Sequence, residues 1–142
     1  MQIENINIDA VFQSLAYWHG YQSQRYPNLA LREIAIAHEF AALMSSALKN
    51  KAKVKSEVAY SEIFDVSNLS KSGSRRDDKK VDVLIDFSGL KPNPDRTRYK
   101  VCVEIKRLKI GVRGLENDVD KLSKIPSKNK YRVDRWVLIC GY

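Results

Sequence analysis

The chain has 142 residues, of which 44% are hydrophobic and 30% are charged. That length is typical of one domain with a single core, and the composition excludes an intrinsically disordered chain. The 25 Lys and Arg against 17 Asp and Glu give a net charge of +8, which favours an anionic partner such as nucleic acid.

Membrane and secretion signals are missing from the sequence pattern. The chain contains no apolar run close to the ~20 residues that cross a bilayer. The start, "MQIENINIDA", lacks the basic residues and apolar stretch of a signal peptide. We therefore expect a cytoplasmic protein without membrane association.

Periodicity and turn residues predict one α/β domain over residues 1–142, with a mixed sheet. Helices are predicted at 8–26, 28–51 and 114–125, with Asp9 and Asn28 as N-caps of the first two. Strands are predicted at 53–64, 80–89, 98–108 and 131–142, with a polar loop at 67–78 and a turn in "LKPNPD" at 90–95. After an extra N-terminal helix the order is helix, three strands, helix and strand, which predicts helices covering the faces of a sheet.

The first predicted helix carries more apolar side chains than an isolated helix needs, namely Val11, Phe12, Leu15, Ala16 and Tyr21. Two uses remain open at this stage. The helix could form the interface of a homodimer, or it could fold back over the sheet or over the helix at 28–51.

Cysteine and histidine patterns argue against a zinc site. Cys102 and Cys140 lie in separate apolar strands and form no CxxC motif, so we predict reduced thiols in the core. His19 and His38 form no HExxH motif.

The predicted strand "VCVEIKRLK" (101–109) carries two charges among apolar residues. Because strand side chains alternate between faces, Glu104 and Lys106 point to the same side as Cys102. Burying such charges costs several kcal/mol unless they are paired or bind a ligand. The two residues therefore need partners.

An antiparallel hairpin centred on Asn93 would place opposite each other the residues whose numbers add to 186, and Asp82 and Glu104 form one such pair. Directly opposed side chains lie ~5 Å apart, and two like charges there favour a bound cation. Mg²⁺ (or Mn²⁺) binds through one or two carboxylates together with water and phosphate. Lys106, on the same face, could then orient a water or neutralise a phosphate. Asp86, also on this face, is a reserve candidate.

A simpler interpretation needs no ligand. Glu104 and Lys106 could be an ordinary charge pair on a solvent-facing side of the sheet, with Asp82 paired to Lys100 or Arg98.

Asp82 in "VDVLIDF", followed by Glu104-Ile105-Lys106 in "VCVEIK", resembles the PD-(D/E)xK nuclease superfamily. The restriction-endonuclease-like core of that superfamily has the same order of helix, three strands, helix and strand. The resemblance covers about residues 28–142 and leaves out 1–27. Asp82 follows Val81 here and not proline.

The resemblance implies a metal-dependent endonuclease that hydrolyses phosphodiester bonds of DNA. Asp82 and Glu104 would be the metal ligands and Lys106 the catalytic lysine. "AHEFAALMSSAL" resembles the first core helix, where Glu39 would complete the site; Glu33 is an alternative nearer the centre of the apolar stripe. "ENDVDKL" (116–122) resembles the helix that follows the E-x-K strand in some members, and no catalytic role is assigned to it.

Basic residues concentrate in the two loops and around the strand that holds Glu104. We predict that eight of them bind nucleic-acid phosphates: Arg75, Arg76, Lys79, Lys80, Arg96, Arg98, Lys109 and Arg113. Two other functions remain open, namely a nucleic-acid-binding module with a nuclease-like fold and no cleavage activity, and a basic protein-interaction domain.

Overall fold

The computed structural model describes residues 1–3, 5–28, 31–63, 79–87, 98–107, 112–125 and 131–141. The predicted loop at 67–78 and the predicted turn at 90–95 lie outside these residues, as do Arg75, Arg76, Arg96 and Lys109.

The described elements form a mixed α/β arrangement, as predicted. In chain order they are β1 (Gln2–Ile3), β2 (Ile6–Asn7), α1 (Asp9–Arg25), α2 (Glu33–Leu48), a 3₁₀ turn (Lys49–Lys51), β3 (Lys53–Ala59), α3 (Tyr60–Ile63), β4 (Lys80–Asp86), β5 (Arg98–Arg107), α4 (Val112–Ser123) and β6 (Tyr131–Cys140). Each predicted helix and strand has a counterpart. The small β1–β2 hairpin was not predicted, and the last residues of the strand predicted at 53–64 belong to α3.

The larger sheet has the strand order β3-β4-β5-β6. The β3–β4 and β4–β5 pairs are antiparallel, and β6 runs parallel to β5. Parallel strands need a crossover connection, and α4 lies in the chain between these two strands.

Helices lie on both faces of this sheet. On one face, α1 and α2 pack on the residues of β4 and β5 that include Val83, Ile85 and Val103. On the other face, α3 and α4 pack on Leu84 and Cys102. The alternation of side chains along β4 and β5 thus divides the apolar residues into two cores.

The N-terminal helix belongs to the first core. Val11 and Leu15 are each 4% exposed, and the rings of Phe12 and Phe40 stack with their centroids 6.0 Å apart. Packing against α2 therefore accounts for Val11, Phe12 and Leu15, as the second alternative predicted, whereas Ala16 and Tyr21 are exposed. Within the described residues no helix is long and apolar enough to cross a membrane.

Both predicted N-caps are wrong. The N-cap positions are Ile8 and Arg32, and neither makes a side-chain capping bond to a described residue. Asp9 is already the first helical residue, and its amide donates to the side-chain oxygen of Asn7 at 2.8 Å. Asn28 lies five residues before α2 begins.

Truncation of Leu15 tests the packing of α1. We expect Leu15→Ala to lower the free energy of unfolding by about 2–4 kcal/mol, because the side chain is buried in the first core. Tyr17→Ala, on the same helix but 81% exposed, is the control and should change it by less than about 0.5 kcal/mol. Urea unfolding of both variants measures the difference, and equal effects would show that α1 contributes no core packing.

Candidate active site

The pairing of β4 with β5 has the predicted register. The paired residues are Val83–Val103, Leu84–Cys102, Ile85–Val101 and Asp86–Lys100. In this register Asp82 is the next residue opposite Glu104. The predicted register is therefore confirmed for these four pairs, and its continuation would set Asp82 opposite Glu104.

The backbone pairing of β4 with β5 ends at Val83–Val103, just before these carboxylates. One residue further, Oδ2 of Asp82 accepts a hydrogen bond from the amide of Ile105 at 2.7 Å. The aspartate side chain thus takes the place of a main-chain acceptor where the strands part. This bond fixes one carboxylate oxygen against β5 and leaves the other for further contacts.

The neighbouring strand β3 is also irregular at this level. Ser56–Val83 and Val58–Val81 are paired, but Glu57 between them has a φ of 52°. This left-handed conformation costs a non-glycine residue on the order of 1 kcal/mol. The Glu57 side chain is exposed. The β3–β4 and β4–β5 pairings are therefore both interrupted beside the carboxylates, whereas β5 stays paired with β6.

Glu104 is only 2% exposed, and its Oε1 lies 2.6 Å from Nζ of Lys121 on α4. Burial raises the pKa of Glu104 to about 7, although the hydrogen bond from Lys121 lowers it. The charge of Asp82 raises it further, and a protonated Glu104 can hydrogen-bond to the Asp82 carboxylate. The two carboxyl groups are therefore neighbours that influence each other's protonation, and one ammonium partly compensates them.

Lys106 lies between two other carboxylates. Its Nζ is 3.1 Å from Oδ2 of Asp118 on α4 and 3.6 Å from Oε2 of Glu33 on α2. Asp118 is 8% exposed, and its Oδ2 accepts no hydrogen bond within the described residues, so its attraction to Lys106 is ionic. Glu33 also accepts the amide of Arg107 at 3.2 Å. Side chains from α2, on one face of the sheet, and from α4, on the other, therefore both reach the end of β5.

The charges of β5 and α4 form two crossed ion pairs. Glu104 pairs with Lys121, and Lys106 pairs with Asp118. On a helix, residues three apart lie on one face, so Asp118 and Lys121 both reach the face of β5 that carries Glu104 and Lys106. In both elements the acid precedes the lysine along the chain. Because the two elements run in opposite directions, each acid faces the lysine of the other element.

The simpler interpretation of the strand charges is wrong about their exposure to solvent. Glu104 is buried, so it does not lie on a solvent-facing side of the sheet. Lys100 pairs with Asp86 at 3.3 Å, and its ammonium also donates to the carbonyl of Ile63 at 2.5 Å. This ion pair gives Asp86 a structural role.

Helix α2 brings Glu33, and not Glu39, to Lys106. Glu39 makes no hydrogen bond or ion pair with Asp82, Glu104 or Lys106, all of which the structure describes. Six residues are about 1.7 helical turns, which turns the two glutamates ~120° apart around α2. Glu33 was the alternative in the sequence, since it lies nearer the apolar stripe.

Tyr60 and Cys102 lie near the two carboxylates. Neither residue belongs to the Asp82 and Glu104-Ile105-Lys106 motif. The Tyr60 hydroxyl donates to the main-chain oxygen of Lys121 at 3.2 Å. Burial and then the charges of Glu104, Cys102 and Asp82 raise the Tyr60 pKa, so the hydroxyl remains a donor. Burial raises the pKa of Cys102 to about 12, against the lowering effect of Arg135 and Lys100, which keeps this free thiol protonated. Cys140 is also free, as predicted.

Two of the predicted phosphate-binding residues lie next to Asp82. Lys79 and Lys80 are exposed at the start of β4, three and two residues before it. Arg113 lies in the first turn of α4. Arg98 begins β5, six residues before Glu104, which corresponds to about 20 Å along the strand.

The donor set fits a magnesium-like ion better than a structural zinc ion. The described residues contain no group of three or more His, Cys, Asp or Glu side chains arranged to hold a metal. Two neighbouring carboxyl groups are nevertheless a suitable protein contribution for Mg²⁺, which completes its shell with water and phosphate. Asp82 and Glu104 are the residues that could hold it.

No protein-family model, curated protein or solved structure matches the chain. The resemblance to PD-(D/E)xK nucleases therefore stays a prediction that rests on its own residues.

The burial of Glu104 has a measurable effect on stability. Its pKa of about 7 lies above the ordinary 4.5, so its stabilising contribution is complete below about pH 4.5 and is lost as the pH rises through 7. Glu104→Gln removes this titration. We expect the free energy of unfolding of the wild type, relative to this variant, to fall by up to about 3 kcal/mol between pH 4.5 and pH 8.

Urea unfolding of both proteins across this pH range measures the difference. Contributions from the other titrating groups cancel between the two proteins, so a flat or rising difference would contradict the burial argument.

Proposed function

We propose that the protein is a divalent-cation-dependent nuclease that hydrolyses phosphodiester bonds of DNA. The observation that carries the proposal is the placement of Asp82 and Glu104 just beyond the last paired residues of β4 and β5, where the Ile105 amide holds Asp82 and Lys121 holds Glu104. Two neighbouring carboxylates need positive charge, and one lysine supplies only part of it.

The proposed ligands are held in different ways. The amide of Ile105 fixes one oxygen of Asp82, and burial restricts Glu104. Mg²⁺ or Mn²⁺ bound by these residues would lower the pKa of a water molecule and neutralise charge on the phosphate. In the reaction a water oxygen forms a bond to phosphorus, an ester P–O bond breaks, and the leaving oxygen takes up a proton.

Lys106 is the proposed electrostatic assistant. Its ammonium is 21% exposed beside Glu104, close enough to the strand end to attract a phosphate oxygen. Glu33 and Asp118 hold it from two sides. Glu33 therefore takes the supporting position that the sequence assigned to Glu39.

DNA is the proposed partner because the chain carries a net positive charge and because two exposed lysines lie close to Asp82. The net charge is +8, and the exposed Lys79 and Lys80 lie three and two residues before Asp82, at the start of β4. Phosphate contacts of this kind position a nucleic acid without reading its sequence.

One observation favours a second candidate, a DNA-binding module without cleavage. Glu104 and Lys106 already have partners within the protein, Lys121 and Asp118. Such pairs could stabilise the fold alone. Metal-dependent cleavage separates the two candidates.

Removal of either carboxylate tests the nuclease proposal. We expect Asp82→Asn and Glu104→Gln to lower the Mg²⁺-dependent cleavage of plasmid and single-stranded DNA by at least ~10²-fold, since even outer partners of metal ligands are worth 10–100-fold. Asp120→Asn, an exposed carboxylate of α4, is the control and should cleave normally.

Circular dichroism establishes that the variants are folded. Cleavage at the wild-type rate in either variant, or in the presence of EDTA, would reject the carboxylate site. Salt-dependent binding by a wild type that does not cleave would support the binding module.

Charge reversal near Asp82 tests the DNA surface. We expect the double variant Lys79→Glu/Lys80→Glu to weaken binding to all DNA sequences and to reduce the slope of log affinity against log salt by about 2, since each phosphate contact contributes ~0.9. Lys49→Glu/Lys51→Glu is the matched control, with the same change in net charge. It lies beyond the opposite end of β3, about 20 Å away along the strand.

Fluorescence anisotropy at several salt concentrations measures both slopes. Equal losses in the two double variants would mean that binding follows overall charge and not a surface beside Asp82.

A further inference from the structure

The ammonium that contacts the carboxylate pair comes from α4 and not from the E-x-K motif. Nζ of Lys121 lies 2.6 Å from Oε1 of Glu104, which is a short, charge-assisted hydrogen bond. Lys106, two residues along β5, is held by Glu33 and Asp118. The helix therefore brings a second lysine to the proposed metal ligand.

The backbone and the side chain of Lys121 are held differently. Its main-chain oxygen accepts the Tyr60 hydroxyl at 3.2 Å, which ties this turn of α4 to α3. The side chain is 26% exposed, whereas that of Glu104 is 3% exposed. The ammonium can therefore leave Glu104 for solvent by side-chain rotation while the helix stays in place.

A divalent ion and this ammonium cannot use Glu104 equally well at the same time. Both are cations that need the same carboxylate, and two cations at contact distance from it repel each other. Oε1 already accepts the Lys121 hydrogen bond, so a metal must share that carboxylate or displace the lysine.

We propose that Lys121 is a built-in counter-ion that competes with the divalent cation for Glu104. It neutralises part of the carboxylate pair before the metal binds, and metal binding releases its ammonium from Glu104. Lys121 thus sets the metal affinity of the site. This inference rests on the proposed metal-dependent function.

The opposite role predicts the opposite result. If Lys121 served only to keep Glu104 ionised and oriented for the metal, its removal would weaken metal binding, because metal ligands must be deprotonated. Competition predicts that removal strengthens it. The sign of the change therefore separates the two roles.

Calorimetry with Mg²⁺ alone, at pH 8.5 and without DNA, provides the test. We expect Lys121→Met to bind Mg²⁺ about five- to tenfold more tightly than the wild type. Lys124→Met is the matched control: it removes the same charge three residues along α4, from an exposed pair with Asp120, and should leave the affinity unchanged. Binding that appears only in Lys121→Met would also support competition.

The other outcomes separate this inference from the proposed function. Unchanged or weaker binding in Lys121→Met, when the wild type does bind, overturns the competition and leaves the metal site intact. No binding in any protein, or full binding in Asp82→Asn, overturns the metal site and the competition together.

A second measurement keeps the test independent of the folding of Lys121→Met. In the wild type, NMR of the lysine ammonium groups should show that saturating Mg²⁺ shifts the Lys121 Nζ signal and leaves the Lys124 signal in place. A Lys121 signal that stays unchanged at saturation would overturn the proposal.

Discussion

The hydrogen bond from the Ile105 amide to Asp82 determines the arrangement of the site. Backbone pairing between β4 and β5 ends one residue earlier, at Val83–Val103, so this bond links the two strands beyond their last backbone pair. The bond uses a side chain as a main-chain acceptor and so holds the Asp82 carboxylate against Glu104. The sheet therefore fixes the position of this carboxylate, and the rotamer freedom of the Asp82 side chain has little influence on it. The position of the acidic pair is therefore a property of the strand register.

Charged side chains of both signs, from β5, α4 and α2, surround this pair of carboxylates. β5 supplies Glu104 and Lys106, α4 supplies Lys121 and Asp118, and α2 supplies Glu33. Buried ion pairs contribute little net stability, because desolvation offsets their attraction, but removal of one partner leaves an uncompensated charge. Such a network explains how a buried acid and a partly buried lysine are tolerated two residues apart on one strand. It also makes each of these charges sensitive to the loss of its partner.

Local pattern predicted the fold elements and the strand register, but not the contacts between elements. The alternation in "VCVEIK" and the numbering about Asn93 were enough to align Asp82 with Glu104, because register follows from period 2 and the turn. The partners from α4 depend on how the helix docks, and the local pattern of "ENDVDKL" does not reveal them. Glu39 was preferred because the resemblance matched it to the acidic residue of the first core helix, although the helical wheel placed Glu33 nearer the centre of the apolar stripe. The interruption of the β3–β4 pairing at Glu57 could not be predicted from the composition of the strand.

The crossed pairs also limit where α4 can lie on the sheet. Moving the helix by one turn, about 5.4 Å, in one direction would put Asp118 opposite Glu104. Moving it by one turn in the other direction would put Lys121 opposite Lys106. Either displacement replaces attraction with repulsion between like charges, whereas apolar residues such as Leu122 and Ile125 discriminate weakly between neighbouring positions. The alternation of charge thus favours one position of α4 on the sheet over others that would bury similar apolar area.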